Sequence, residues 1–186
     1  MKDEPWNITQ RAAEHILAVF DHLDMDYVRS GDIAIHHSAQ VEDNAVLKGP
    51  MIIGPNCFVA AGAYIRGGVF LEKDCIIGPN SELKTTFMFS GSKIAHLSFV
   101  GDSIIGSGVN IEAGAIVANY RNEMGDKAIR IRHRSAILET GVDKFGALLG
   151  DGCRIGANAV IAPGAVLEGG KIVRRQELID QHSLHS

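Results

Sequence analysis

The sharpest chemical signal in the chain lies between Ser92 and Tyr120, which reads Ser-Lys-Ile-Ala-His96-Leu-Ser-Phe99-Val-Gly-Asp102 and continues through Asn110, Glu112, Ala113 and Asn119-Tyr120. An imidazole such as His96 is the side chain best suited to exchange a proton near neutral pH. Its plainer alternative is a corner histidine whose nitrogens are satisfied by carbonyls. Metal chemistry finds less support. A zinc centre of three histidines needs two of them closely spaced, and His15, His22, His36, His37, His96, His133, His182 and His185 do not supply that spacing. His36 and His37 are adjacent, so their rings are expected to diverge. Cys57, Cys75 and Cys153 make an odd count without metal spacing and read as reduced core residues. No metal site is expected.

The elements that must position His96 follow from a six-residue period. Ile35, Val41, Leu47, Ile53, Val59, Ile65, Leu71, Ile77 and Leu83 recur without a miss, and a smaller residue stands two positions before most of them. Turn formers such as Gly54-Pro55-Asn56 and Gly78-Pro79-Asn80 fall between. A period of six fits neither a helix nor a simple strand; it is the mark of a solenoid in which three short parallel strands make one triangular coil. The cysteines all sit in the small-residue slot. The period breaks from Lys84 to Lys93, resumes at Ile94, Val100, Ile105, Ile111 and Val117, is lost over 118–146, and returns at Leu149, Ile155, Ile161 and Leu167. An excursion of that length adds no repeat core and reads as a functional loop or an intersubunit arm.

Residues 1–34 form an expected N-terminal helical cap. Asn7 and Gln10 have capping-box spacing, and Ile8, Ala12, Ala13, Ile16, Leu17, Phe20 and Leu23 make one face of an amphipathic helix of roughly four turns. That helix is expected to lie on the first coil and shield its open edge. The solenoid is assigned to 35–172, and 173–186 to a short C-terminal helix and tail.

From these motifs the chain is identified as a member of the hexapeptide-repeat acyltransferases. Over about residues 47–168 it resembles the acetyltransferase domain of bacterial bifunctional N-acetylglucosamine-1-phosphate uridyltransferase and the C-terminal solenoid of archaeal sugar-1-phosphate nucleotidyltransferases. The His-Leu-Ser-aromatic-hydrophobic-Gly-Asp core carries most of that resemblance. It implies an all-β, left-handed parallel β-helix, a homotrimer with sites between subunits, and transfer of acetyl from acetyl-CoA to the amine of an amino sugar phosphate, a reaction needing no metal. His96 would be the general base, and a backbone N–H near Ala113 would hold the oxyanion. Lys84 and Lys144 would grip the phosphate. Asn110, Asn119 and Tyr120 would meet sugar hydroxyls and the acetyl or pantetheine end. Ala157 stands where the relatives have a serine near the cofactor. The resemblance also puts Ala60 where they have a phosphate-binding arginine, with Arg66 one hexad on, Phe99 where they have tyrosine, and Glu112 where a glycine lies beside acetyl-CoA. Glu112 thus brings negative charge toward an anionic cofactor. A γ-type carbonic anhydrase on the same fold is excluded by the histidine spacing.

Bulk properties agree with a folded, soluble domain: 186 residues, 46% hydrophobic, 22% charged and a net charge of −4. Nothing there suggests nucleic acid or an anionic membrane as partner. The N-terminus does not read as a signal peptide, and a cytoplasmic protein is expected. Thirty-four residues before the repeat cannot hold a nucleotidyltransferase fold, so that activity is not expected. The competing reading is a non-catalytic solenoid trimer that binds a sugar nucleotide or acts as a scaffold.

Overall fold

The computed structural model describes residues 4–133 and 136–182. They form a left-handed parallel β-helix of about eight turns. One face is a seven-stranded parallel sheet built from Gln40–Val41, Phe58–Val59, Ile76–Ile77, Lys93–Ile94, Asn110–Ile111, Arg154–Ile155 and Ile172–Val173. The other two faces merge into one sheet, because Tyr64–Leu71, Glu82–Met88 and Phe99–Ile105 run around their shared corner without a break. The hexad aliphatics point inward as the period requires. Ile53, Val59, Ile65, Leu71, Ile77, Leu83, Ile94, Val100, Ile105, Ile111, Val117, Leu149 and Ile161 are fully buried, with Cys57, Cys75 and Cys153 among them as free thiols.

The expected break at Lys84–Lys93 is not a break. Met88 is fully buried and pairs with Leu71 below and Ile105 above, so it fills the inward slot one residue early. The cause is the corner. Arg66 pairs with Lys84 and Val69 with Thr86, so Gly67 and Gly68 together oppose Thr85 alone. This is a β-bulge in the earlier coil, and both glycines take the positive φ it needs, 76° and 97°.

The N-terminal segment departs from expectation in two ways. It forms two helices, α1 (Pro5–Gln10) and α2 (Ala12–Phe20), divided at Arg11. The residue at the N-cap is Glu4, without a side-chain cap, and Pro5 opens the first turn; no Asn7 capping box forms. Nor do the helices shield the open end. Ile16 and Phe20 pack on the outward residues Ala34 and Ile52, flanked by Phe70 and Phe87, along the side of the solenoid. That face carries an apolar outward row of its own and needs a second layer. The first coil stays only partly buried at Ile35, Val41 and Leu47. Its edge is covered by a strand, Tyr27–Ser30, paired antiparallel with Ile33–His36.

The expected C-terminal helix is also replaced. Ile172–Val173 and Leu178–Ile179 pair parallel with Arg154–Ile155 and Val160–Ile161 and start a further coil. The hexad simply continues from Leu167 to Val173 and Ile179. Residues 183–186 of the expected C-terminal tail lie outside the described residues, as do 1–3 of the N-terminal cap.

The 118–146 excursion has a small core of its own. Ile129, Ile131, Val142 and Phe145 bury against Trp6, Leu148 and Val166, and the hairpin Arg130–His133/Ala136–Glu139 extends from it. Trp6 meets Phe145 edge-on, with ring centroids 6.3 Å apart.

Polar groups inside the coils are satisfied locally. Buried Ser92 donates to the Gly106 carbonyl at 2.6 Å and accepts the Val109 N–H at 2.9 Å. Ser92→Ala leaves both groups stranded, and a loss of about 2 kcal/mol is expected, read as a lower denaturant midpoint at unchanged m-value.

Candidate active site

Two groups of side chains stand at the two edges of one solenoid face. The first is at the corner that the long strands turn. Lys84 lies in register between Arg66 and Gly101. With Leu83 pointing inward, its neighbours Glu82 and Lys84 point out. Gly101 leaves room for the Asn119 amide: a Cβ there would sit 2.7 Å from Asn119 Nδ2. Both ends of the excursion are anchored here, since Phe145 N–H donates to the Asn119 carbonyl at 3.1 Å and Gly146 N–H to that of Asp102 at 2.9 Å. Lys144 and Asn119-Tyr120, distant in sequence, are thereby brought together. The resulting pocket of about 420 Å³ is lined by Arg66, Lys84, Phe99, Asn119, Tyr120 and Lys144.

Its charges are partly matched from within. Lys84 Nζ donates to both oxygens of Asp102 at 2.9 and 2.8 Å, and the Asn119 amide donates to the same carboxylate. Arg66 pairs with Glu82 at 2.8 Å. Lys144 is exposed and carries no ion pair among the described residues. Three cations against two carboxylates leave the pocket positive. Two of these residues were assigned no role by sequence reasoning. The resemblance gave the arginine position to Ala60, which is buried at 4% exposure, whereas Arg66 is the residue in the pocket. Asp102 was visible in the Gly-Asp motif, but only the fold shows it holding Lys84 and Asn119.

The second group climbs the preceding corner. The Gly114 N–H donates to the His96 carbonyl at 2.8 Å, Asn158 N–H to that of Ala113 at 3.0 Å, and Gln176 N–H to that of Ala157 at 2.9 Å. His96, Ala113, Ala157 and Arg175 therefore follow one another from coil to coil. The His96 ring is exposed and makes no hydrogen bond among the described residues. The Ala113 N–H is likewise unengaged.

Glu112 does not present the uncompensated charge expected of it. Its carboxylate accepts the Ala157 N–H at 2.9 Å and pairs with Arg175 at 3.0 and 2.9 Å. The amide bond first, and the Arg175 guanidinium second, hold its pKa below the usual carboxylate range. Arg175→Ala is expected to raise the Glu112 pKa only part of the way to its ordinary value, which a carboxyl ¹³C titration by NMR would read. Beside this corner opens a cavity of about 470 Å³ where Asn110 and Glu112 meet Arg154, Arg174 and Arg175.

The expected site residues thus divide. Lys84, Asn119, Tyr120 and Lys144 share one pocket; His96, Ala113 and Ala157 share a corner; Asn110 lies on the seven-stranded face, beside the arginines. From His96 to Gly101 the chain takes five residue steps along the face, about 16 Å at about 3.3 Å per step.

Coil geometry and sequence agree on the class. Residues 50–85 match the bacterial transferase hexapeptide (six repeats) family and residues 138–173 the hexapeptide repeat of succinyl-transferase. The chain belongs to the hexapeptide-repeat acyltransferase family. It is similar to the bifunctional sugar-1-phosphate nucleotidylyltransferase/acetyltransferase of Sulfurisphaera tokodaii, at 37% identity over 67% of this chain and 35% of that protein. The bifunctional protein GlmU of Pseudoalteromonas atlantica is 35% identical over 71% of this chain and 25% of its own length. The chain thus spans about a third or less of these relatives. Among solved structures, a hexapeptide transferase family protein from Anaplasma phagocytophilum shares the fold, with a TM-score of 0.58 and 16% identity over 76% of this chain and 73% of that one. No helix among the described residues is long and apolar enough to cross a membrane.

Proposed function

We propose that the protein transfers the acetyl group of acetyl-CoA to the amine of an amino sugar phosphate resembling glucosamine 1-phosphate. The observation that carries this reading is the corner where an exposed, unengaged imidazole, His96, and an unengaged backbone N–H, Ala113, stand on successive coils. The amine attacks the thioester carbonyl while His96 takes its proton as the C–N bond forms. The Ala113 N–H meets the oxyanion of the tetrahedral intermediate. That intermediate collapses with loss of CoA thiolate, to which the imidazolium returns the proton.

The surrounding charge suits such partners. Glu112 is neutralised by Arg175, and Arg154 and Arg174 face the adjoining cavity, so that cavity can receive an anionic cofactor. The Arg66, Lys84 and Lys144 pocket suits a phosphate monoester. These two groups flank one face, and its outward row includes Val46, Val160 and Leu178, exposed at 43%, 37% and 64%. Packing three chains around that face would cover the row and set the His96 corner of one subunit against the cationic pocket of the next. We therefore infer a homotrimer with active sites between subunits. The buried free thiols suit the reducing cytoplasm, where acetyl-CoA is available.

The second reading, a trimer that binds a sugar nucleotide without turnover, draws on Phe99, which offers no hydroxyl, and on Lys84, already paired with Asp102. Incubation with acetyl-CoA and a panel of amino sugar phosphates, with acetylated product followed by mass, separates the two. Product supports the transferase. Its absence across the panel, with three chains per particle by light scattering, favours the binding trimer.

A further inference from the structure

The turn before the first paired strand brings Asp26 beside His36 and His37. We propose that these three residues form a divalent transition-metal site, of the type that takes zinc, at the N-terminal end of the solenoid, independent of the acetyltransferase reading. The strand pairing Tyr27 with His36 continues one step further, where the His37 N–H donates to the Asp26 carbonyl at 2.8 Å. Asp26 and His37 are therefore cross-strand partners. The two imidazoles do not diverge as adjacency suggested: their centroids lie 4.4 Å apart with planes inclined by 32°. One ligand atom from each of the three residues falls within 4.8 Å of the others.

The Asp26 carboxylate and the His37 ring are close but not hydrogen-bonded to each other. Asp26 Oδ1 lies 3.8 Å from His37 Nδ1, too far for a hydrogen bond. Two ligands of a tetrahedral zinc ion with bonds of 2.0–2.1 Å stand about 3.4 Å apart. His37 Nδ1 makes a long hydrogen bond, 3.3 Å, to the Asp26 carbonyl oxygen, a contact that a metal bound at Nδ1 would replace. His36 Nδ1 meets the Ser38 hydroxyl at 2.8 Å and accepts the Ser38 N–H at 3.1 Å. Binding a metal through Nε2 would move the ring proton to Nδ1, which would then donate to the Ser38 hydroxyl as the outer-shell contact. The Tyr27 ring meets His36 edge-on at 5.0 Å and limits its swing from the other side. Imidazole and carboxylate ligands together suit zinc, with water completing the shell. Both Asp26 and His37 side chains are 62% exposed, so they are free to close the small remaining distance. An ion there would clamp the two strands that cover the solenoid's open edge.

The test is calorimetric titration of tag-free protein with Zn²⁺, alongside His36→Ala, His37→Ala, His37→Gln, Asp26→Asn and a distant control, His22→Ala, with circular dichroism on each. The expected result is one ion per chain in the wild type and in His22→Ala. Affinity should fall at least about tenfold in every cluster variant that keeps the wild-type spectrum. Zinc should also raise the thermal midpoint of the wild type but not that of His37→Gln. Absence of binding in the wild type, or affinity unchanged in the cluster variants, overturns the proposal.

Discussion

His96→Ala is expected to lower acetyl transfer by about 10²-fold or more, the usual contribution of a positioned general base. The loss should fall on kcat with little change in KM for acetyl-CoA, because the imidazole acts on the amine proton as the new bond forms. The ring is exposed and makes no hydrogen bond among the described residues, so the variant should keep its spectrum and melting temperature. A stability change would have pointed to the alternative of a packed corner histidine. Lys84→Ala gives the contrasting pattern, a raised KM for the sugar phosphate. Mass-detected product under saturating acetyl-CoA, with both substrates varied, separates the two effects. A wild-type rate in His96→Ala would remove the base from the mechanism and leave only fold similarity behind the reading.

The second large effect is on stability. Arg121 is 1% exposed and donates to Asp180 at 2.9 and 2.7 Å and to the Pro163 carbonyl at 2.9 Å. It ties the base of the excursion to the final coil. Glu123, 3.4 Å away and largely exposed, adds a weaker contact. Asp180→Asn removes the counter-charge from a buried guanidinium, and a cost of about 3 kcal/mol is expected. For a chain of this length that is a fall of about 6–12 °C in melting temperature. The pH dependence has a definite sign. The Arg121 hydrogen bond, ahead of other causes, lowers the Asp180 pKa. The native state therefore binds fewer protons here than the unfolded chain. The stabilisation is present above the unfolded carboxylate value of about 3.9, and it is lost as pH falls through the lower native value. Below about pH 4 the wild type should lose this increment, and the Asp180→Asn curve should be flatter there. Thermal melts from pH 7 down to 3 check both. Tyr120 adjoins Arg121, so the variant should also bind the sugar phosphate less tightly.

The inward aliphatics from Ile35 to Leu83 determined the solenoid by themselves, because a six-residue period admits one simple packing: three sides per coil, with every aliphatic in the middle. The position of His96 beside a corner was legible for the same reason. The continuing period through Val173 and Ile179 was also present in the sequence. The expected C-terminal helix failed because a short apolar segment with arginines can be read as either element until parallel partners below it supply its hydrogen bonds. Only the tertiary structure decided that Leu83 steps to Met88 across a corner where the previous coil bulges at Gly67-Gly68, since a bulge is a relation between two strands. Only it decided where the N-terminal helices lie: their apolar face was readable, but not which surface would meet it. The candidate site divides along the same line. The identities of Lys84, Asn119, Tyr120 and Lys144 were visible, while their convergence depends on the excursion closing back on its own base. The Asp102 pairing, the neutralisation of Glu112 by Arg175 and the meeting of Asp26 with His36 and His37 are contacts between different coils or strands. Spacing along the chain carries no record of such contacts, because it is the stacking that sets which residues become neighbours.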